Sequence, residues 1–145
     1  AVVRYTGNSF GVNTDISLTP FKWLSMSYQG NYSQSATQQK GQERFPWLRT
    51  VTNKGTLDFT IPGGVTLTTS LYHYYNNFND GDRLFLLLNA EAKYTIKRFS
   101  FTLSCDNLLN RKTYVYSSLS ALTESKAIYN IRPRSLLLKI RFRIF

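Results

Sequence analysis

Few residues in this chain have the types and spacing that chemistry requires. Asp58 and Glu91 are the best-placed carboxylates, but neither has a base, a nucleophile or a metal-ligand neighbour within a motif. Cys105 is the single cysteine, so no internal disulfide forms, and His73, the single histidine, lies far from it in sequence. By parity Cys105 shares the apolar face of Phe99, Phe101 and Leu103, which suits a small packed or lipid-facing side chain rather than a nucleophile. The run Asn76-Asn77-Phe78-Asn79-Asp80-Gly81-Asp82 has the oxygens and the glycine of a calcium loop. It lacks the spacing and closing Glu of that loop, and a polar hairpin connection accounts for it. No enzyme activity, metal or cofactor is expected. What remains is binding chemistry: Tyr72, Tyr74 and Phe85 share one face and offer flat rings on which a sugar or similar ligand can stack. The alternative for the same rings is packing against loops or an internal plug.

The elements that carry these residues follow from a period of two. From Leu84 to Ile96 the even positions read Leu, Leu, Leu, Ala, Ala, Tyr, Ile, while Asn89, Glu91, Lys93 and Thr95 stand between them. Near the end of the chain, Leu136, Leu138, Ile140, Phe142 and Ile144 alternate with Lys139, Arg141 and Arg143. Alternation of this kind predicts strands with one apolar and one polar face. Seven are expected: Phe10–Thr19, Trp23–Tyr32, Thr50–Ile61, Val65–Tyr75, Leu84–Ile96, Phe99–Cys105 and Ser135–Phe145. No segment has helical periodicity.

The predicted connections alternate in length. Pro20–Lys22, Pro62–Gly64 and Lys97–Arg98 are short; Ser33–Leu48, Asn76–Asp82 and Asn107–Arg134 are longer and polar. Short turns at one end and long loops at the other is the asymmetry of transmembrane barrels. Aromatic residues on the apolar face sort the same way. Phe10, Tyr28, Tyr32 and Tyr75 fall toward the long-loop end, and Phe59, Tyr94, Phe99, Phe101 and Phe142 toward the short turns. Ile16, Leu57, Leu67, Leu86, Leu88 and Leu138 lie between them. Two aromatic belts around an aliphatic band match two membrane interfaces. Thr14, Asn53, Gly55, Thr69 and His73 are the misfits on this face, and Gly55 suggests a bend or bulge. On the opposite, lumen-facing side, Lys54, Asp58, Glu91, Lys93, Lys139 and Arg141 suggest ion-pair ladders between strands.

Composition agrees with this reading. Aromatics make up 15% of 145 residues, with ten Tyr and ten Phe, while apolar residues total an ordinary 42%. No run approaches the roughly 20 apolar residues of a spanning helix, which a β-spanning protein does not need. The net charge of +10 is spread along strand faces and loops without a dense basic cluster, so nucleic acid is not an expected partner. Lys40, Arg44, Arg49, Arg111, Lys112, Lys126, Arg132 and Arg134 fall in or beside the long connections, where they can meet lipopolysaccharide phosphates. The chain starts Ala-Val-Val-Arg, without Met or a targeting segment, as a mature or excised piece does.

The segment Ser104-Cys-Asp-Asn-Leu-Leu-Asn110, followed by Arg111-Lys-Thr-Tyr114, resembles the Asn-Leu-Leu-Asn or Asn-Leu-Phe-Asp signature on the penultimate strand of TonB-dependent outer-membrane receptors. In that family a long extracellular loop follows, then a Pro/Gly-Arg entry into the final strand, which ends in Phe. The counterparts here are Arg132-Pro-Arg-Ser135 and Phe145. The polar loops are similar in style to receptors of Bacteroidetes, including the glycan-importing group. The likeness is most specific over residues 99–145 and rests on strand rhythm before that. It implies about seven C-terminal strands of a barrel of the roughly 22-stranded type. It further implies an import function for a glycan, siderophore or similar scarce ligand, and a plug and TonB partner reached through a part of the protein outside this chain. It makes Phe145 the assembly signal, although the apolar set of Phe142 and Ile144 is one residue out of step with it.

Seven strands do not close a bacterial barrel, which takes an even number. Ala1–Arg4 and Tyr114–Ser118 are two possible further strand pieces, and a fragment of a larger barrel is the favoured expectation. The rival readings are a soluble lipocalin-like binding barrel, whose apolar face would point inward, and a small complete eight-stranded membrane barrel.

Overall fold

The computed structural model describes residues 5–41, 43, 46–78, 83–119 and 124–144. Among the described residues nine strands form: β1 (Tyr5–Phe21), β2 (Leu24–Gln39), β3 (Leu48–Ile61), β4 (Val65–Asn76), β5 (Leu84–Ile96), β6 (Phe99–Asp106), β7 (Thr113–Leu119), β8 (Glu124–Asn130) and β9 (Ser135–Phe142). Seven of them make one antiparallel sheet in the order β1-β2-β3-β4-β5-β6-β9, and β7 and β8 pair only with each other. Among the described residues the sheet is open, with β1 and β9 at its two edges.

All seven predicted main-sheet strands are present, but several ends differ. β1 begins at Tyr5 and β2 runs on to Gln39, where a loop was expected from Ser33. The polar residues of that stretch pair in register with β1, from Ser33 opposite Gly11 to Gln39 opposite Tyr5. Backbone hydrogen bonding thus continues past the point where apolar alternation stops. Tyr114–Ser118 is indeed strand, yet it pairs with β8 and does not extend the sheet. Ala1–Arg4 and Phe145 lie outside the described residues.

The register brings the apolar positions of every strand onto one side. One rung reads Leu24, Phe59, Leu67, Ala92, Leu103, Leu138 across β2 to β9; another reads Val12, Tyr32, Val51, Tyr75, Leu84. A slip of one residue at any pairing would send a whole strand's apolar set to the polar side. Many side chains of this face are exposed, Phe10 by 60% and Leu136 by 70%. Contiguous exposed apolar patches mark surfaces that meet an apolar partner. β1 to β5 are 12 to 17 residues long.

Apart from Ala36, most buried residues gather on the opposite, polar side, at the long-loop end. Leu48, Tyr74, Asn76 and Phe85 are covered there together with Ser117 of β7. The connection from β6 to β9 creates this small core by folding the β7–β8 hairpin over the polar face.

Candidate functional site

The hairpin lies above β4 and β5. Tyr74 alternates with Tyr72 on the polar face of β4, and Phe85 stands opposite Tyr74 on β5. The Tyr74 ring meets Tyr114 edge-on with centroids 5.1 Å apart, and Tyr114 also meets Phe85 at 4.9 Å. Tyr116 adds a tilted contact to Tyr74 at 6.3 Å. Asn76, fully buried, ties the layers together by donating from Nδ2 to the Ser117 carbonyl and to the Tyr74 hydroxyl, each at 3.0 Å. Desolvation pushes the Tyr114 phenol well above its ordinary pKa, and the nearby Tyr72 and Tyr74 add to the shift.

The three rings expected to meet a ligand therefore divide. Tyr74, 2% exposed, and Phe85 are covered by the hairpin, while Tyr72 stays half-open at its margin. Tyr72 lines a hollow of about 430 Å³ on the polar face with Asn13, Asp15, Gln29, Asn31 and Lys54. Its walls hydrogen-bond one another: Asn31 donates to Asn13, and Gln29 Nε2 to Asp15 Oδ2 at 3.3 Å. A flat ring beside carboxamides and a carboxylate is an arrangement that binds hydroxyl-rich molecules by stacking and hydrogen bonding. Sequence reading missed the four residues from β1 and β2, because only register places Asp15 opposite Gln29, Gln29 opposite Lys54 and Lys54 opposite Tyr72.

A second site explains the Asp-Asn-Leu-Leu-Asn motif. At the end of β6 the chain turns through two left-handed residues, Asn107 with φ 53° and Asn110 with φ 51°, a conformation that Asn tolerates better than most side chains. Asn107 is buried and uses its whole amide. Oδ1 accepts from Arg111 N at 2.8 Å, and Nδ2 donates to the carbonyls of Arg111 at 2.8 Å and Arg132 at 2.9 Å. Its own N–H donates to Asn89 Oδ1 on β5 at 2.8 Å. Asn110 Oδ1 accepts from Arg134 N at 3.2 Å. One motif thus fastens the outgoing and returning feet of the hairpin to the sheet.

The Asn76–Asp82 segment is described as far as Phe78, and its first residues are fasteners too. Asn77 Nδ2 donates to the Trp47 carbonyl at 2.8 Å, and its Oδ1 accepts from Arg49 N at 2.7 Å. Asn76 Oδ1 accepts from Phe78 N at 2.8 Å, so these oxygens are engaged by backbone. Among the described residues no three His, Cys, Asp or Glu side chains cluster as a metal site would require.

The charges on the polar face meet hydroxyls. Asp58 accepts from Thr68 Oγ1 at 2.6 Å and Glu91 from Ser104 Oγ at 2.9 Å, while Lys93 and Lys139 flank Thr102. The expected alternation of sign across strands is thus replaced by carboxylate–hydroxyl pairs. Of the basic residues assigned to loops, Arg49 falls in β3 and Lys126 in β8. Arg111, Lys112, Arg132 and Arg134 flank the hairpin's feet, Lys40 follows β2, and Arg44 lies outside the described residues.

The aromatic residues assigned to belts fall on the apolar face of the sheet in register. Toward the short turns, Phe99 contacts Phe101 and Phe142 with centroids 6.2 and 4.9 Å apart, and Tyr94 is paired with Phe101. Phe21 and Trp23, which sequence reading left out, join the same end by stacking at 5.1 Å, and Trp23 reaches Phe59 at 6.3 Å. Toward the long-loop end, Phe10 meets Tyr32 edge-on at 6.5 Å, and Tyr32 and Tyr75 are both register partners of Val51. Tyr28 sits lower, paired with Gly55. Comparison of the chain with models of protein families, with curated proteins and with solved structures returns no match.

Proposed function

We propose that this chain is a stretch of wall from an outer-membrane β-barrel of the TonB-dependent receptor type, which imports a glycan, siderophore or similar scarce ligand. The observation that carries the reading is the exposed apolar face, continuous over seven strands in register and ending in aromatic side chains at both ends. In lipid that face needs no cover, and the opposite face lines a wet lumen. The position of the hairpin favours the same orientation. It packs on the polar face, as an extracellular loop folded into a lumen does, whereas a soluble binding barrel of the lipocalin type would turn its apolar face inward.

Strand direction bears on closure. β1 and β9 run the same way, since five reversals separate β1 from β6 and one more leads to β9. Closing an antiparallel barrel therefore takes an odd number of further strands, supplied by the rest of the receptor together with its plug and the TonB contact. One such strand would complete the small eight-stranded alternative. The Asn107 motif and the long hairpin connection favour the larger receptor. In this reading the hollow beside Tyr72 contributes ligand contact, and the chain performs no catalysis.

The native thiol tests the orientation. In cells expressing the full-length protein, Cys105 should be alkylated by a lipid-soluble maleimide and spared by a charged one, as read on its own peptide by mass spectrometry. Rapid reaction with the charged reagent, or recovery of the protein outside the outer-membrane fraction, would overturn the membrane assignment.

A further inference from the structure

Four polar side chains stand on the apolar face where a lipid-facing wall does not need them. Arg49, Val51 and Asn53 share that face by alternation along β3, and register sets Asn53 opposite His73 on β4. Tyr28 on β2 donates its hydroxyl to Asn53 Oδ1 at 2.6 Å, and Asn53 Nδ2 meets His73 Nδ1 at 2.8 Å. With Nδ1 accepting, the neutral ring carries its hydrogen on Nε2, and no partner for that hydrogen is found among the described residues. Tyr28 lies across Gly30, where an added methyl would come within 2.7 Å of the phenolic oxygen.

Toward the short turns the same face opens into a groove of about 470 Å³ between Ile16, Leu18, Met26, Leu57 and Leu71, with Tyr28 at its upper end. Gly55 makes this space, since a Cβ there would meet nothing within 4 Å. Toward the long loops, Arg49 stands four residues from Asn53, about 13 Å along the strand, with its side chain exposed. Its backbone N–H donates to Asn77 Oδ1, which anchors this point of β3.

From the long-loop end downward the strip thus offers a cation, an aromatic rung of Tyr32 and Tyr75, a hydrogen-bonding triad and an apolar groove. A phosphorylated acyl lipid presents the complementary order: phosphate, ester linkage, hydrocarbon chain. The long-loop end lies in the outer leaflet, where that lipid is the lipid A part of lipopolysaccharide. Resting on the membrane reading above, we propose that this strip of β1 to β4 binds one lipid A molecule. Arg49 takes a phosphate, His73 Nε2–H donates to an acyl ester carbonyl, and one chain lies along Gly55.

The test is native mass spectrometry of the full-length protein extracted from outer membranes in mild detergent. The wild type should retain one lipid A. Arg49→Gln removes a charge-assisted contact, and its retained lipid should fall about tenfold. Gly55→Leu fills the groove without a backbone clash and should abolish retention, while Lys93→Gln, on the other face, should change nothing. Equal retention in all four proteins, or retention of a glycerophospholipid in place of lipid A, would overturn the proposal. A protein that never enters the outer membrane would instead sink the membrane reading on which the proposal rests.

Discussion

Asn107 donates from its side-chain amide to the carbonyl of Arg132, 2.9 Å away and 25 residues further along the chain. The same amide closes the ring around Arg111, so one side chain joins the two feet of the β7–β8 hairpin. The motif that most resembles a receptor signature thus has a local structural purpose here. It sets the angle at which a long connection leaves the sheet and turns back over the polar face.

Asn107→Ala should release that hairpin. The change strands two carbonyls and one N–H, at about 1–3 kcal/mol for each group left without water. It also removes a residue type that tolerates left-handed backbone. Hydrogen exchange should rise across β7 and β8 with little change in β2 to β4. Unaltered protection of the hairpin would show that ring packing alone holds it.

Tyr114 makes the hairpin sensitive to alkali. Its phenol has a raised pKa because it is buried, so the folded state holds its proton more tightly than an opened hairpin does. The stabilisation is complete below the ordinary tyrosine value of about 10. It is lost as pH climbs from there toward the folded-state value. Protease access to β7–β8 should therefore increase in that window. Tyr114→Phe should remove Tyr114's contribution to the pH dependence while keeping the ring contacts to Tyr74 and Phe85.

Leu57→Lys and Thr56→Lys compare the two faces of one strand. Leu57 lies mid-band on the apolar face, between Met26 and Thr69 in register, and Thr56 points the other way. A lysine facing the bilayer midplane costs about 2–4 kcal/mol, and one in the lumen costs little. Heat-modified gel mobility should show impaired assembly for Leu57→Lys alone. Equal behaviour of the pair would argue against lipid on that side.

Gly64→Ala should weaken the β3–β4 turn. Gly64 has φ +87°, and an added Cβ would lie 2.3 Å from the Thr95 carbonyl oxygen. The turn also accepts Thr95 N at the Gly64 carbonyl, 2.8 Å away, linking it to β5. Left-handed strain alone costs on the order of 1–3 kcal/mol, and the backbone clash adds to it. The substitution should lower the temperature of the gel-mobility transition; the same change at Gly7, where an added Cβ would meet nothing within 4 Å, should not.

Much of the sheet was legible in the sequence because a period of two, repeated with turn residues between, is a local property. Leu84–Ile96 and the apolar face of β9 needed nothing more than alternation. Other features needed long-range pairing. β2 extends through polar Ser33–Gln39 because β1 supplies a hydrogen-bonding partner, a fact no side-chain pattern in β2 encodes. Tyr72, Tyr74 and Phe85 were placed together on the polar face by parity, but burial of two of them comes from Tyr114 and Tyr116, about forty residues downstream of Tyr74. Asn53 and His73 read as misfits on an apolar face until register set them side by side and Tyr28 completed the line. Local alternation determined which face each residue occupies; which neighbour it meets there depended on strand register and on one folded-back hairpin, both set by contacts between distant parts of the chain.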